Sequence, residues 1–252
     1  MHPVLIEFGP ITLYSYGFFV AAAFLLGMAW TMREAEISGL DSRIVLSIGF
    51  YVLAGGLAGS RLLYVLVNPD LFQGDPLGIF KFWKGGLAFM GGAAAAGFCM
   101  IVVLYRRKEK ILPWLDACAP GVALGLFTGW LGCLAAGCGY GKPADLPWSI
   151  ILTHPDAAGP LFVPMHPVQA YQALAALACF IILLLIRGNF KASGQRAGFF
   201  LVVYVLLRML IDFFRADIQV NSLFMSVNQT ISLAVVLVGL LLFYLPSRYR
   251  GK

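Results

Sequence analysis

The chain is expected to be an all-α integral membrane protein with seven transmembrane helices, its N-terminus outside and its C-terminus cytoplasmic. Three observations lead there. Of its 252 residues 60% are hydrophobic and 12% charged, with a mean hydropathy of +0.85, whereas soluble domains carry about 25% charged residues. Seven stretches have about the length and apolarity of a helical span. Basic residues are spread unevenly over the connections between them.

The stretches run roughly over 12–32, 44–66, 86–105, 114–134, 167–186, 197–214 and 228–246. The first opens with Tyr14 and Tyr16 and closes before Arg33. The second follows Arg43 and carries Gly55, Gly56, Gly59 and Arg61; the third is entered through Lys84 to Gly92 and ends at Arg106-Arg107-Lys108. The fourth leads into the glycine-rich run Gly129 to Pro143, and the fifth begins at Met165-His166-Pro167 and ends at Arg187. The sixth contains Arg208 and Asp212, and a polar break around Asn221 and Asn228 precedes the seventh. Numbered from an outside N-terminus, the inside connections hold 12 basic residues, Arg33, Arg43, Arg106, Arg107, Lys108, Lys110, Arg187, Lys191, Arg196, Arg248, Arg250 and Lys252. The outside ones hold 4, Lys81, Lys84, Lys142 and Arg215. This is the positive-inside pattern, and it accounts for the net charge of +6 without a nucleic-acid partner. The first ten residues lack a basic n-region, so no cleavable leader is expected. With no internal repeat or low-complexity tract, residues 1–252 read as a single polytopic domain.

The sixth stretch is costly. Ionisable groups inside a span are expensive and are functional suspects by default. At helical spacing Arg208, Asp212 and Arg215 fall within about 60° of one another, two cations and one anion on one face. Such a face suits either an ion pair that locks helix packing or an anion such as a lipid phosphate.

The unusual residues gather at the outer ends of the spans: Tyr16, Arg61, the Gly137–Gly141 run, His166, and Arg208 to Arg215. Inner ends carry ordinary basic anchors. A site in the outer leaflet is therefore expected. Gly55, Gly56 and Gly59 have the spacing of close helix packing. Gly85-Gly86 and Gly91-Gly92 are expected to allow a broken or re-entrant backbone, and Gly137 to Gly141 a loop whose N–H groups hold phosphate oxygens. Cys133 and Cys138 match neither a CxxC redox pair nor a zinc spacing. Packing thiols and an external disulfide both remain open for them. No metal site and no cofactor are expected.

The chain resembles the prolipoprotein diacylglyceryl transferase family over nearly its whole length. The resemblance is carried, in order, by Tyr14-Ser-Tyr16-Gly17, Gly59-Ser-Arg61-Leu-Leu-Tyr64, Gly85-Gly-Leu-Ala-Phe-Met90-Gly-Gly92, the Gly129 to Pro143 segment, His166-Pro-Val-Gln169-Ala-Tyr171, Tyr204 through Asp217, and Asn228-Gln229-Thr-Ile-Ser232. It implies a multi-pass bacterial inner-membrane enzyme that moves a diacylglyceryl group from phosphatidylglycerol to the lipobox cysteine of a preprolipoprotein, releasing glycerol phosphate. It further implies Arg208 and Asp212 as catalytic residues, and Arg61, Arg208, Arg215, Tyr16 and Gly141 as phospholipid-binding. The base is then left to His166 or water, and Gly137 lines the phospholipid site with Gly141. Four family positions are substituted here: Met90 stands for the family's histidine, Trp130 for arginine, Cys133 for asparagine and Cys138 for an acid. Gln172 also replaces an acid, and Asp212 shortens the usual glutamate. These departures mark a divergent, cysteine-containing branch. They leave open another acceptor, or a lipid-binding protein that kept the fold without the chemistry. A small channel is the remaining alternative, with in-span charges confined to one leaflet arguing against a full pathway.

Overall fold

A computed structural model describes residues 2–8, 11–81, 85–217 and 227–248. Lys84, Asn221, Arg250 and Lys252, on which part of the sequence reading rests, lie outside them. Among the described residues the chain forms α1 (Ser15–Ile37), α2 (Arg43–Val67), α3 (Phe89–Arg106), α4 (Ile111–Ala136), α5 (Val168–Leu185), α6 (Gln195–Asp212) and α7 (Val227–Arg248). Two short antiparallel ribbons accompany them: β1 (Val4–Phe8) with β2 (Ile11–Tyr14), and β3 (Ile150–Ile151) with β4 (Pro164–Met165). Helices α1 to α5 are each long and apolar enough to cross a bilayer, so this is a multi-pass membrane protein. Helix α6 is diluted by its charges, and the apolar part of α7, Thr230–Tyr244, is shorter. The helices expose large apolar side chains, Phe50, Leu62 and Leu66 on α2 and Leu174 and Leu185 on α5 among them. In water this would be a liability; against acyl chains it is the expected surface.

The chain resolves into two compact units, Ala35–Trp114 and the combination of Met1–Glu34 with Leu115–Lys252. The smaller is built on α2 and α3. Lipid tails are as apolar as leucine, so membrane helices associate chiefly through close packing of small residues. Gly55 faces Cys99 and Ala95, Gly56 faces Gly92, and Gly59 faces Ala95 and Gly91. A Cβ on Gly59 would lie 2.6 Å from the Gly91 carbonyl oxygen, a separation no side chain adopts. Gly91 and Gly92 therefore lie inside α3 as the other half of this seam, not in a broken loop as the sequence suggested. Glycine pairs in an apolar run have the same local signature in either setting. The break comes earlier, in two 3₁₀ turns at Pro69–Phe72 and Pro76–Phe80 and at Gly85 and Gly86, whose φ values are +86° and +75°.

The larger unit has its core between α4, α5 and α6, where Ala119, Ala123, Ala176, Cys179, Leu183, Ala197, Phe200, Tyr204 and Val205 cluster. The Phe200 and Tyr204 rings stack at 5.7 Å. Helix α1 approaches α4 at Gly27 and Gly121, and α6 approaches α7 at Gly198 and Gly239.

At the end of this unit where α1 finishes and α6 begins, Glu34 has no solvent exposure. It accepts hydrogen bonds from Arg187 Nη2 and, at 2.6 Å, from Arg196 Nη1. Arg196 also donates to the Leu183 carbonyl at the end of α5, at 3.1 Å. The Asp116 carboxylate on α4 accepts from the backbone N–H groups of Gly194 at 2.6 Å and Ala197 at 2.8 Å, capping α6. Arg196, read from sequence as an interfacial anchor, is thus buried at 5% exposure and points inward. Its carboxylate partner lies 162 positions away, out of reach of a local reading. Removing that carboxylate leaves cations without their counter-charge, a loss of about 3–5 kcal/mol for a buried pair. Glu34→Gln should therefore lower the melting temperature in detergent by several degrees or prevent folding. An unchanged melt would remove the network from the stabilising interactions.

Candidate functional site

The opposite end of the larger unit is non-helical and polar. Helix α4 stops at Gly137, which takes φ +77°. The chain then runs beside the segment that leaves α6 and the one that enters α5. Lys142 N–H donates to the Phe214 carbonyl at 2.8 Å, Ala216 N–H to Tyr140 O at 3.2 Å, and His166 N–H to Lys142 O at 3.0 Å. Gly141 is pinched in this junction: a Cβ there would lie 2.8 Å from His166 Cβ. Gly141 and Gly137 thus build the turn. The N–H groups of Cys138 and Lys142 are spent on protein carbonyls, of Cys133 and Phe214 respectively.

Around the junction the structure brings Arg208, Asp212 and Arg215 together, as their spacing suggested. Arg208 Nε is 3.9 Å from Asp212 Oδ2 and Arg215 Nη1 is 3.4 Å from Asp212 Oδ1. The charge balance differs from expectation. Helix α6 ends at Asp212 and the chain turns, so Asp217 comes back onto Arg215 as a two-pronged pair at 2.9 and 2.8 Å. The expected surplus cation is neutralised, because a helical projection does not follow the chain past the helix end. Arg215 also lies over the Trp130 ring at 5.8 Å, and Trp130 Nε1 donates to the Tyr204 hydroxyl at 3.2 Å. The two guanidiniums therefore differ. Arg215 is occupied by two carboxylates; Arg208 Nε is buried and, among the described residues, has no hydrogen-bond partner.

Tyr16, in the first turn of α1, is 47% exposed and lies near Gly132, Cys133 and Cys138 of α4 and its cap. His166 packs on Phe214 at 4.9 Å between ring centres, with Nδ1 3.5 Å from the Tyr171 hydroxyl, which accepts from Trp148 Nε1 at 2.8 Å. Trp148 escaped the sequence reading, since a loop tryptophan has no spacing signal. Two buried glutamines were also underrated. Gln169 Nε2 donates to the Cys138 carbonyl at 2.9 Å, but its Oε1 and both polar atoms of Gln172 have no partner among the described residues. Buried amides without partners are rare, and each calls for an explanation such as water or a ligand group.

Arg61 and Met90 belong to the smaller unit. Met90 lies in the first turn of α3. Arg61 has its guanidinium committed within its own unit: Nε donates to Ile79 O at 2.9 Å, Nη1 to Gly85 O at 2.7 Å and Gly86 O at 2.9 Å, and Nη2 to Gly78 O at 2.6 Å. Its plane rests near Phe72 and Tyr64, 5.3 and 5.7 Å from their rings. The rigid five-donor fork makes arginine suited to such a clamp and lysine unsuited. Arg61 thus holds the segment before α3 in place.

These features define a class: a multi-pass helical membrane protein with paired arginines and carboxylates, thiols and buried amides at one end of a helix unit. The comparisons narrow it further. The family model for prolipoprotein diacylglyceryl transferase matches residues 3–245, and the chain belongs to that family. A phosphatidylglycerol–prolipoprotein diacylglyceryl transferase of Aeromonas hydrophila is 34% identical over 253 residues, covering 98% of this chain and 90% of that protein. The protein of the same name from Clostridium tetani is 29% identical over 254 residues, covering both chains fully. One from Bordetella avium is 33% identical over 261 residues, covering 99% of this chain and 96% of that protein.

The clamp yields a prediction of its own. Hydrogen bonds to a charged group contribute about 1.5–3 kcal/mol each, so Arg61→Gln should speed amide hydrogen exchange at residues 85–88 at least about tenfold. Arg61→Lys should do nearly the same. Unchanged protection in both would show that the segment is held by something else.

Proposed function

We propose that the chain transfers a diacylglyceryl group from phosphatidylglycerol to the lipobox cysteine of a preprolipoprotein. Family membership and the shared name of full-length relatives support this reading. The observation that carries it to particular residues is Arg208, a half-buried arginine whose buried Nε has no hydrogen-bond partner among the described residues and lies 3.9 Å from Asp212. In the reaction the acceptor sulfur bonds to the glyceryl carbon as that carbon's bond to the phosphate oxygen breaks. The glycerol phosphate leaves with the electron pair, and the thiol proton goes to a base. Charge grows on the leaving phosphate, where a fixed guanidinium in a low-dielectric site is most effective. Arg208 is assigned to that phosphate, and Asp212 to orienting Arg208. Arg215, held by Asp217 and Asp212, completes the electrostatic frame together with Tyr16. His166 or water takes the thiol proton, and Gly137 and Gly141 shape the wall.

The full seven-span arrangement belongs to this proposal, with the N-terminus outside, the C-terminus cytoplasmic and the chain as one domain in the bacterial inner membrane. Under it, the Glu34 end faces the cytoplasm and the Arg208 end the outer leaflet. The basic-residue bias supports this orientation.

Two measurements test the proposal. Purified protein given phosphatidylglycerol labelled in its acyl chains and a lipobox peptide should label the peptide. Arg208→Ala should lower the rate by about 10²–10³, the usual loss on removing one charge-stabilising donor, while Arg208→Lys recovers part of it. Peptide left unlabelled by well-folded wild type would overturn the reading. For topology, an alkaline phosphatase moiety fused after α7 should be inactive and one fused within 144–160 active; the reverse pattern would invert the orientation.

A further inference from the structure

Cys133 and Cys138 form an arrangement that the transfer reaction does not use. With Gly137 in the left-handed region, the Cys138 N–H reaches back to the Cys133 carbonyl at 3.1 Å. This is the six-residue closure of a Schellman cap, and it brings the side chains at its two ends against one another. Both ends here are thiols. Cys138 Sγ is 3.9 Å from the Cys133 carbonyl oxygen, and the two thiols are close enough to influence each other's ionisation. Both are half-buried, neither sealed off nor fully exposed. Gln169 fixes the turn by donating to the Cys138 carbonyl. Arg215, Asp217 and Tyr16 lie within electrostatic reach. The remaining cysteines are packing thiols: Cys179 in the apolar core, Cys118 beside Thr31, and Cys99 against Gly55.

We propose that Cys133 and Cys138 are a dithiol site whose substrate is a disulfide on the acceptor cysteine, which they reduce in place so that it can accept the diacylglyceryl group. The inference rests on the proposed acceptor being a thiol. A thiol presented on an oxidising face is exposed to blocking by small thiols, and a blocked sulfur cannot attack carbon. Cys138 is the attacking member: the Cys133 thiol beside it, outweighing burial, holds its thiol below the ordinary value. The Cys138 thiolate attacks the blocking sulfur, forming a mixed disulfide, and the acceptor leaves as a thiolate that takes up a proton. Cys133 then attacks Cys138 Sγ, expelling the blocking group as a free thiol and closing the Cys133–Cys138 disulfide. Two electrons and two protons pass from the enzyme dithiol to the acceptor disulfide. An external dithiol reductant resets the site.

The test uses full-length protein in detergent with phosphatidylglycerol, reduced and then freed of reductant. The substrate is a lipobox peptide whose cysteine is blocked as a disulfide with 2-mercaptoethanol. Wild type should release about one equivalent of peptide thiol per protein and lose two of its five alkylatable thiols. Cys133→Ser should release the peptide and retain one mercaptoethanol, seen by mass at Cys138. Cys138→Ser should release none. Equal release by wild type and Cys138→Ser would overturn the proposal. So would a blocked peptide that stays blocked while the same wild-type preparation labels pre-reduced peptide. Exchange without labelling of reduced peptide would sustain the dithiol site and count against the transferase reading alone.

Discussion

Charge inside an apolar layer has to be answered locally, and in the larger unit two carboxylates provide most of the answer. Glu34 at one end holds Arg187 and Arg196, and Asp212 at the other faces Arg208 and Arg215. Each lies where helix ends meet, and each is almost wholly shielded from solvent. The two differ in how completely they are matched. Glu34 takes both arginines at hydrogen-bonding distance and ties α1, α5 and α6, whereas Asp212 stands 3.9 Å from Arg208, beyond hydrogen-bonding distance. One end is a closed lock and the other an open one. That difference separates a stabilising network from the proposed phosphate site.

Around these charges the packing is made by small residues. Gly59 against Gly91, Gly27 against Gly121 and Gly198 against Gly239 set helices close enough for backbone contact, which compensates for the lack of a solvent-driven hydrophobic effect between helices in lipid. Among the described residues, two stretches of irregular backbone between the helices are held by side chains. Arg61 holds the segment before α3 by its carbonyls. Gln169 and the cap at Gly137 hold the turn after α4. Irregular backbone at this depth survives only where protein covers its polar groups.

Residues that the resemblance marks as departures acquire a physical account in this setting. Trp130 lies under Arg215 and donates to Tyr204. Cys133 and Cys138 fall at the two ends of one helix cap and become a pair. Neither relation follows from residue type alone.

Much of this was legible in the chain itself. Helical spans, the glycine seam of α2, and the grouping of Arg208, Asp212 and Arg215 all follow from local periodicity, because hydrophobic length and 3.6-residue spacing are properties of contiguous sequence. What needed the tertiary structure were relations between distant segments. Glu34 finds Arg196 from 162 positions away, Arg61 spends its donors on its own unit's carbonyls, and Asp217 folds back past a helix end to cancel a charge that the helical projection left free. Gly91 and Gly92 were misjudged for the same reason: whether a glycine opens a loop or closes a helix contact depends on what lies opposite. By itself the sequence determined that the chain crosses a membrane and which residues would be costly there. Only the fold decided which of those costs are offset by a partner, and so which group is left to act.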